Sequence, residues 1–275
     1  MQAAEGKRRN GNVLERQCND GISQAMKILR VGFAAVFLST LLLSRATSAP
    51  EPSKESQIRV LVVTGGHDFE KEPFFKLFQD NSDITFHAVE HPNAHERLKS
   101  DAARAYDVLV LYDMWQAITE EAKADFVQRL KEGKGLVVLH HGIASYQEWP
   151  EFRKIIGARY YLKKMGVDGV EKPRSAFKHD MHFRIHVADP NHPVTRGVTD
   201  FGMHDETYKW FDVASDSHPL LTTDEPESNR TIAWTRTYEA ARVVYFQSGH
   251  DHFAYENPNY QRLLKQAIRW AARKE

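Results

Sequence analysis

Thiol chemistry is nearly absent from this chain. Its 275 residues include one cysteine, Cys18, so a disulfide framework and a zinc site built on paired thiolates are both excluded. An excess of positive charge is missing too. Lys plus Arg and Asp plus Glu both number 37, giving a formal net charge of zero. Nucleic-acid binding needs a basic face, and no Lys/Arg run supplies one locally. A phosphate cradle at Gly65-Gly66 lacks the surrounding glycine-rich fingerprint. The apolar stretch Val31–Leu43 has 13 residues, short of the roughly 20 that an ordinary spanning helix needs. What the chain does have is a core and a surplus of imidazole. Hydrophobic residues make up 41%, which excludes wholesale disorder, and there are 14 histidines.

The first 57 residues read as a leader and a linker. From Met26 the order is Lys27-Ile28-Leu29-Arg30, the apolar stretch, then Ser44-Arg45-Ala46-Thr47-Ser48-Ala49. A basic start, a short apolar core and small residues before a cut form the pattern of a secretory signal, with cleavage after Ala46 or Ala49. Residues 1–25 read as sequence upstream of the true start, and residues 50–57 as a polar linker. The expectation is a periplasmic or secreted protein with no stable membrane span after cleavage, and the cut would remove Cys18. An uncleaved anchor is the alternative.

From residue 58 apolar runs alternate with amphipathic stretches. Strands are expected at 58–64, 84–89, 107–112 and 135–139, with helices over 72–78, 93–105 and after Thr119, which caps a turn bearing Glu120 and Glu121. This alternation predicts an α/β fold with a mostly parallel sheet and helices on both faces. Residues 159–201 break the rhythm and read as an insertion over one sheet edge, with a strand at 182–187. Strands at 220–223, 231–235 and 242–247 read as a mixed or antiparallel segment, and 260–272 as a closing helix.

The polar residues of interest follow predicted strands: His67 and Asp68, Asp113 and Trp115, His140 and His141, and the pair His250 and His252. In open α/β sheets ligands bind at the carboxyl ends of strands, so these segments are expected to meet in one crevice. Each has a plainer reading. Asp113 and Trp115 suit a cap and a packing aromatic, neighbouring strand residues such as His140 and His141 face opposite ways, and His179, His182 and His186 suit a solvated surface. His204-Asp205-Glu206 joins an imidazole to two carboxylates, a grouping fit for acid–base work or metal ligation.

Three segments, Gly135–His140, Asp205-Glu206-Thr207-Tyr208 and Arg242–Asp251, followed by a closing helix, resemble the trehalose-utilisation (ThuA-like) family over residues 58–273. The resemblance implies a flavodoxin-like fold of the class I glutamine amidotransferase type and a single domain over 58–275. In those amidotransferases the turn after the position of Leu139 carries a catalytic cysteine. Here it carries His140-His141, so their thiol chemistry is not inherited. His140, Asp205, Glu206 and His250 match motif positions, and His67 sits at the family's turn after the first strand.

The resemblance further implies work on oxidised, 3-keto sugars. Two readings stand. One is a hydrolase, lyase or isomerase with Glu206, Asp205 and His140 catalytic, and His67, Asp113, Trp115, His141, Tyr208 and His250 binding substrate. The other is a non-catalytic carbohydrate-binding module. The abundance of titratable groups favours the enzyme, since a binding module is expected to rely on aromatic platforms. A divalent metal such as zinc on His67, His140 and His250 is the candidate cofactor, and a small carbohydrate the candidate partner.

Overall fold

The computed structural model describes residues 57–275 except Asp168. The leader, its cleavage and all of the linker but Gln57 lie outside the described residues. The elements run β1 (Ile58–Gly65), α1 (Lys71–Gln79), β2 (Ile84–Glu90), α2 (Ala94–Leu98), α3 (Ser100–Ala103), β3 (Val108–Asp113), α4 (Glu120–Lys131) and β4 (Gly135–Leu139). After a 3-10 turn, His140–Ala144, come α5 (Pro150–Ile156), β5 (Ala158–Arg159), β6 (Met165–Val167), β7 (Val170–Lys172) and β8 (Ala176–Val187). The chain finishes with β9 (Phe201–Lys209), β10 (Asp212–Val213), β11 (His218–Thr223), β12 (Thr231–Tyr238), β13 (Ala241–Phe246), α6 (His252–Tyr255) and α7 (Pro258–Ala271).

Nine strands form one sheet in the order β2-β1-β3-β4-β13-β12-β11-β8-β9. The first five are mutually parallel, and their order is the 2-1-3-4-5 of a flavodoxin-like doubly wound sheet. The sequences of β1, β3, β4 and β13 are nearly all apolar because both faces are covered, whereas β2, at the edge, alternates with polar residues. Alternate side chains feed two separate cores. Val60, Val62, Val108, Val110, Val137 and Val244 meet Phe74 and Phe78 of α1 and Leu263, Leu264 and Ile268 of α7. Leu61, Val63, Leu109, Leu111, Val138 and Val243 meet Phe126 and Leu130 of α4 and Phe152 and Ile155 of α5. Local signals fix the helix ends. Thr119 accepts from the Ala122 amide at 3.2 Å, and Asn257 caps α7 with Pro258 in its first turn, where a missing N–H costs nothing.

Two expectations change. The helix expected over 93–105 is broken into α2 and α3 by Lys99, whose ψ of 145° is extended. Residues 159–201 do not simply lie over the sheet edge. Their later part is β8, which pairs antiparallel with β11 and with β9 and so lengthens the sheet itself. β9 hid in the sequence because His204, Asp205 and Glu206 interrupt the apolar alternation of Phe201 and Met203. Of these, Glu206 lines a pocket and Asp205 turns to backbone amides.

Candidate active site

Because β1, β3, β4 and β13 are parallel, the loops after them open at one end of the sheet. They deliver His67, Trp115, His140-His141 and Gln247–His250. The antiparallel half reaches the same place from the side: β9 supplies Glu206 and Tyr208, and β8 supplies His179. Five chain segments from both halves of the sheet thus surround one carboxylate.

His140 follows Leu139 without a break and is fully buried. Its φ of +49° lies in the left-handed region, where a non-glycine residue costs on the order of 1–3 kcal/mol. Neighbouring bonds hold it there. Its Nδ1 is 2.7 Å from the Gln247 carbonyl, which can only accept, so this nitrogen carries the proton. The Tyr245 hydroxyl donates to the His140 carbonyl at 3.2 Å. Nε2 is left to face Glu206 Oε2 at 3.0 Å and the Tyr208 hydroxyl at 2.8 Å. Glu206 has two further imidazoles beside it: His179 Nδ1 lies 3.3 Å from Oε1, and His250 Nδ1 lies 3.5 Å from Oε2.

Electrostatics sorts these groups. Burial pushes the Glu206 carboxyl up, but the His140 bond and the charges of His140, His250 and His179 outweigh it and hold the group below its ordinary value. Burial pushes His140 down, and Glu206, Asp205 and the Gln247 carbonyl reverse this, so its value is raised. His250 is lowered by burial and by His140. His141 is lowered strongly by burial, His140 and His67. Glu206 and His140 thus each favour the other's charged form, while His141 and His250 are shifted toward the neutral form.

A cavity of about 130 Å³ opens onto Glu206, lined also by His67, His141, His179 and Tyr208. Tyr160, Trp115 and Phe177 give it aromatic walls, and Trp115 and Phe177, 57% and 48% exposed, form the lip. His67 and His141 stand side by side with ring centroids 4.9 Å apart. The Nε2 of His141 is buried without a hydrogen-bond partner. Its Nδ1 is 3.4 Å from the Asp113 carbonyl, so the lone pair at Nε2 is free to meet a ligand.

Of the residues expected at the site, His67, His140, His141, Glu206, Tyr208 and His250 cluster here and Trp115 stands at the mouth. Asp113 does not line the cavity; it is fully buried, with its Oδ2 3.1 Å from His91 Nε2. Asp205 faces backbone rather than cavity. It accepts from the amides of Glu206 and Gly249 at 2.8 Å each and of His250 at 3.0 Å. Burial raises its pKa, opposed by His140 and those amides. This clamp holds a tight turn in which Gly249 has φ of +127° and a Cβ would lie 2.6 Å from the Tyr260 hydroxyl. At this end of the sheet the residues close enough to share a metal ion are His140, Glu206 and His250, whose donor atoms lie within 4.8 Å of one another; the expected trio had His67 in place of Glu206.

His179, Tyr160 and Phe177 were not expected. On β8, Lys178 pairs with Thr207 and Met181 with Asp205, so His179 and Asp180 together oppose Glu206. This bulge re-aims His179, and period-two reading of the sequence carries no sign of the extra residue.

A sequence-family profile described as ThuA, trehalose utilisation, matches residues 59–271. The chain belongs to the ThuA family. Solved ThuA-like proteins share the fold. One from Parabacteroides merdae is 18% identical with a TM-score of 0.66, covering 78% of this chain and 90% of that one. Another from Bacteroides uniformis is 18% identical with a TM-score of 0.61, covering 82% and 95%. A cytoplasmic protein of Salmonella typhimurium is 14% identical with a TM-score of 0.52, covering 78% and 99%. No curated protein matches the chain. In this ThuA chain the turn after β4 holds the left-handed His140.

Proposed function

We propose that this ThuA protein is an enzyme that moves a proton on an oxidised, 3-keto sugar or glycoside, in a hydrolase, lyase or isomerase reaction. One observation carries the reading. A single carboxylate, Glu206, lines a small aromatic-lipped cavity with three imidazoles within 3.0–3.5 Å of its oxygens. A ketone acidifies the C–H bonds beside it, and an ionised carboxylate facing the cavity is suited to remove such a proton. Glu206 is the base in this account. His141 and His67 accept or donate to the sugar's oxygens, Trp115 and Phe177 cover a ring face, and His140 keeps Glu206 ionised. Asp205 acts through the turn that carries His250. The ThuA profile's description, trehalose utilisation, supports a sugar as the substrate class.

The test is turnover of 3-keto-glycosides beside their unoxidised parents. The purified chain is expected to consume the keto compounds alone, and Glu206→Gln to lower kcat by about 10²–10⁴. Saturable binding without turnover would instead leave a carbohydrate-binding module.

A second reading is favoured by the 4.8 Å grouping of His140, Glu206 and His250 donor atoms. Their chemistry suits zinc or a similar ion, and His140 already directs its other N–H to a carbonyl, as metal-bound histidines do. A bound ion would supply Lewis acidity to a substrate oxygen. Stoichiometric metal in purified protein, with activity lost to chelators and restored by the ion, selects this reading; chelator-insensitive activity removes it. Export is proposed alongside, supported by the basic, apolar and small-residue order from Met26, and intact mass of the native protein should place its first residue at Thr47 or Pro50.

A further inference from the structure

We propose that Asp180, His182 and His204 form a second site, on the protein surface, for a divalent transition-metal ion of the zinc class. His182 on β8 and His204 on β9 are direct register partners across an antiparallel pair, the arrangement that brings two side chains of one sheet face closest together. Their rings lie with centroids 3.9 Å apart and 20° between planes. Asp180 arrives from the same face, two residues before His182, and its Oδ1 is 2.6 Å from His204 Nε2. The donor atoms of all three lie within 4.8 Å of one another.

Two imidazoles and a carboxylate make an N₂O set that suits zinc, nickel or copper. The set is also partly fixed in place. Phe253 backs the His204 ring at 4.0 Å between centroids, and Asp180 is held in the bulge at φ of +59°. An open hollow of about 630 Å³ lies over His182 and His204, with Glu256 on its wall, which leaves room for water or an outside ligand on the ion. A solvated, charged edge strand needs only scattered polar residues to discourage edge pairing. It does not call for two histidines in register with a carboxylate beside them. The bulge places His179 toward Glu206 and Asp180 toward His204, so the ion would sit beside the element that shapes the cavity without sharing a ligand with it.

Zinc chloride titrated by calorimetry into the metal-stripped full chain tests this. The wild type is expected to show a binding event that weakens at least about tenfold in His182→Ala, in His204→Ala and in Asp180→Asn, since losing a supporting residue alone costs that much. The event should persist in Glu206→Gln. All four substituted proteins are checked for native circular dichroism, and Asp180→Asn, at an exposed position, gives a variant whose folding is least at risk. Absence of zinc binding by the wild type overturns the proposal, as does an event unmoved by the His182 and His204 substitutions. An event abolished by Glu206→Gln also overturns it, because the ion then belongs to the cavity.

Discussion

At the scale of single residues, the site depends on how a buried charge is paired. Glu206 and His140 are 5% and 0% exposed, and removing one partner of such a pair leaves the other stranded in a medium that solvates it poorly. His140→Ala removes the bonds to Gln247, Tyr208 and Glu206 together and opens a void, so a loss of about 3–5 kcal/mol is expected in urea unfolding. A loss below about 1 kcal/mol would show that the pair does not hold this end of the sheet. His179 is the opposite case. It is more than half exposed yet touches Glu206, so His179→Ala should change stability by no more than about 0.5 kcal/mol while reducing kcat/KM on a keto-glycoside. Equal activity in the variant would show that His179 is a bystander.

At the scale of elements, the clamp between β9 and the turn after β13 decides where His250 stands. Asp205→Ala leaves the amides of Gly249 and His250 without their acceptor, and each buried unpaired donor costs about 1–3 kcal/mol. A loss of at least about 2 kcal/mol is therefore expected by denaturant titration, together with a fall in activity from the displaced turn. A neutral result would mean that water or another group replaces the carboxylate. This scale is also where the sequence is least readable. The apolar runs of β1, β3, β4 and β13 mark strands buried on both faces, and their polar successors could be assigned to one sheet end. β9 could not be read that way, because residues that build the pocket replace the apolar alternation. His179 could not be placed because a bulge is a fact of pairing, invisible until Lys178 and Met181 find Thr207 and Asp205.

At the scale of the whole molecule, the parallel half was legible because doubly wound sheets announce themselves by alternating strands and helices, while the antiparallel extension depends on partners distant in sequence. Glu206 and His250 are marked as candidates by the family resemblance; position in the sheet explains why they meet. Closure of the fold rests on α7 lying against β4. A Cβ at Gly135 would come within 2.6 Å of the Ala271 carbonyl oxygen, so Gly135→Ala should force the helix outward and cost about 1–3 kcal/mol. An unchanged unfolding midpoint would show that the contact is slack.

The central claim is that Glu206 removes a proton from carbon beside a sugar ketone. Its most direct test is proton NMR of a 3-keto-glycoside incubated in D₂O with the protein. The signal of a proton on carbon next to the ketone should disappear, in substrate or in product, at a rate the protein accelerates, and Glu206→Gln should remove the acceleration. A substrate consumed with those protons retained, or exchange equally fast in the Glu206→Gln protein, would contradict it.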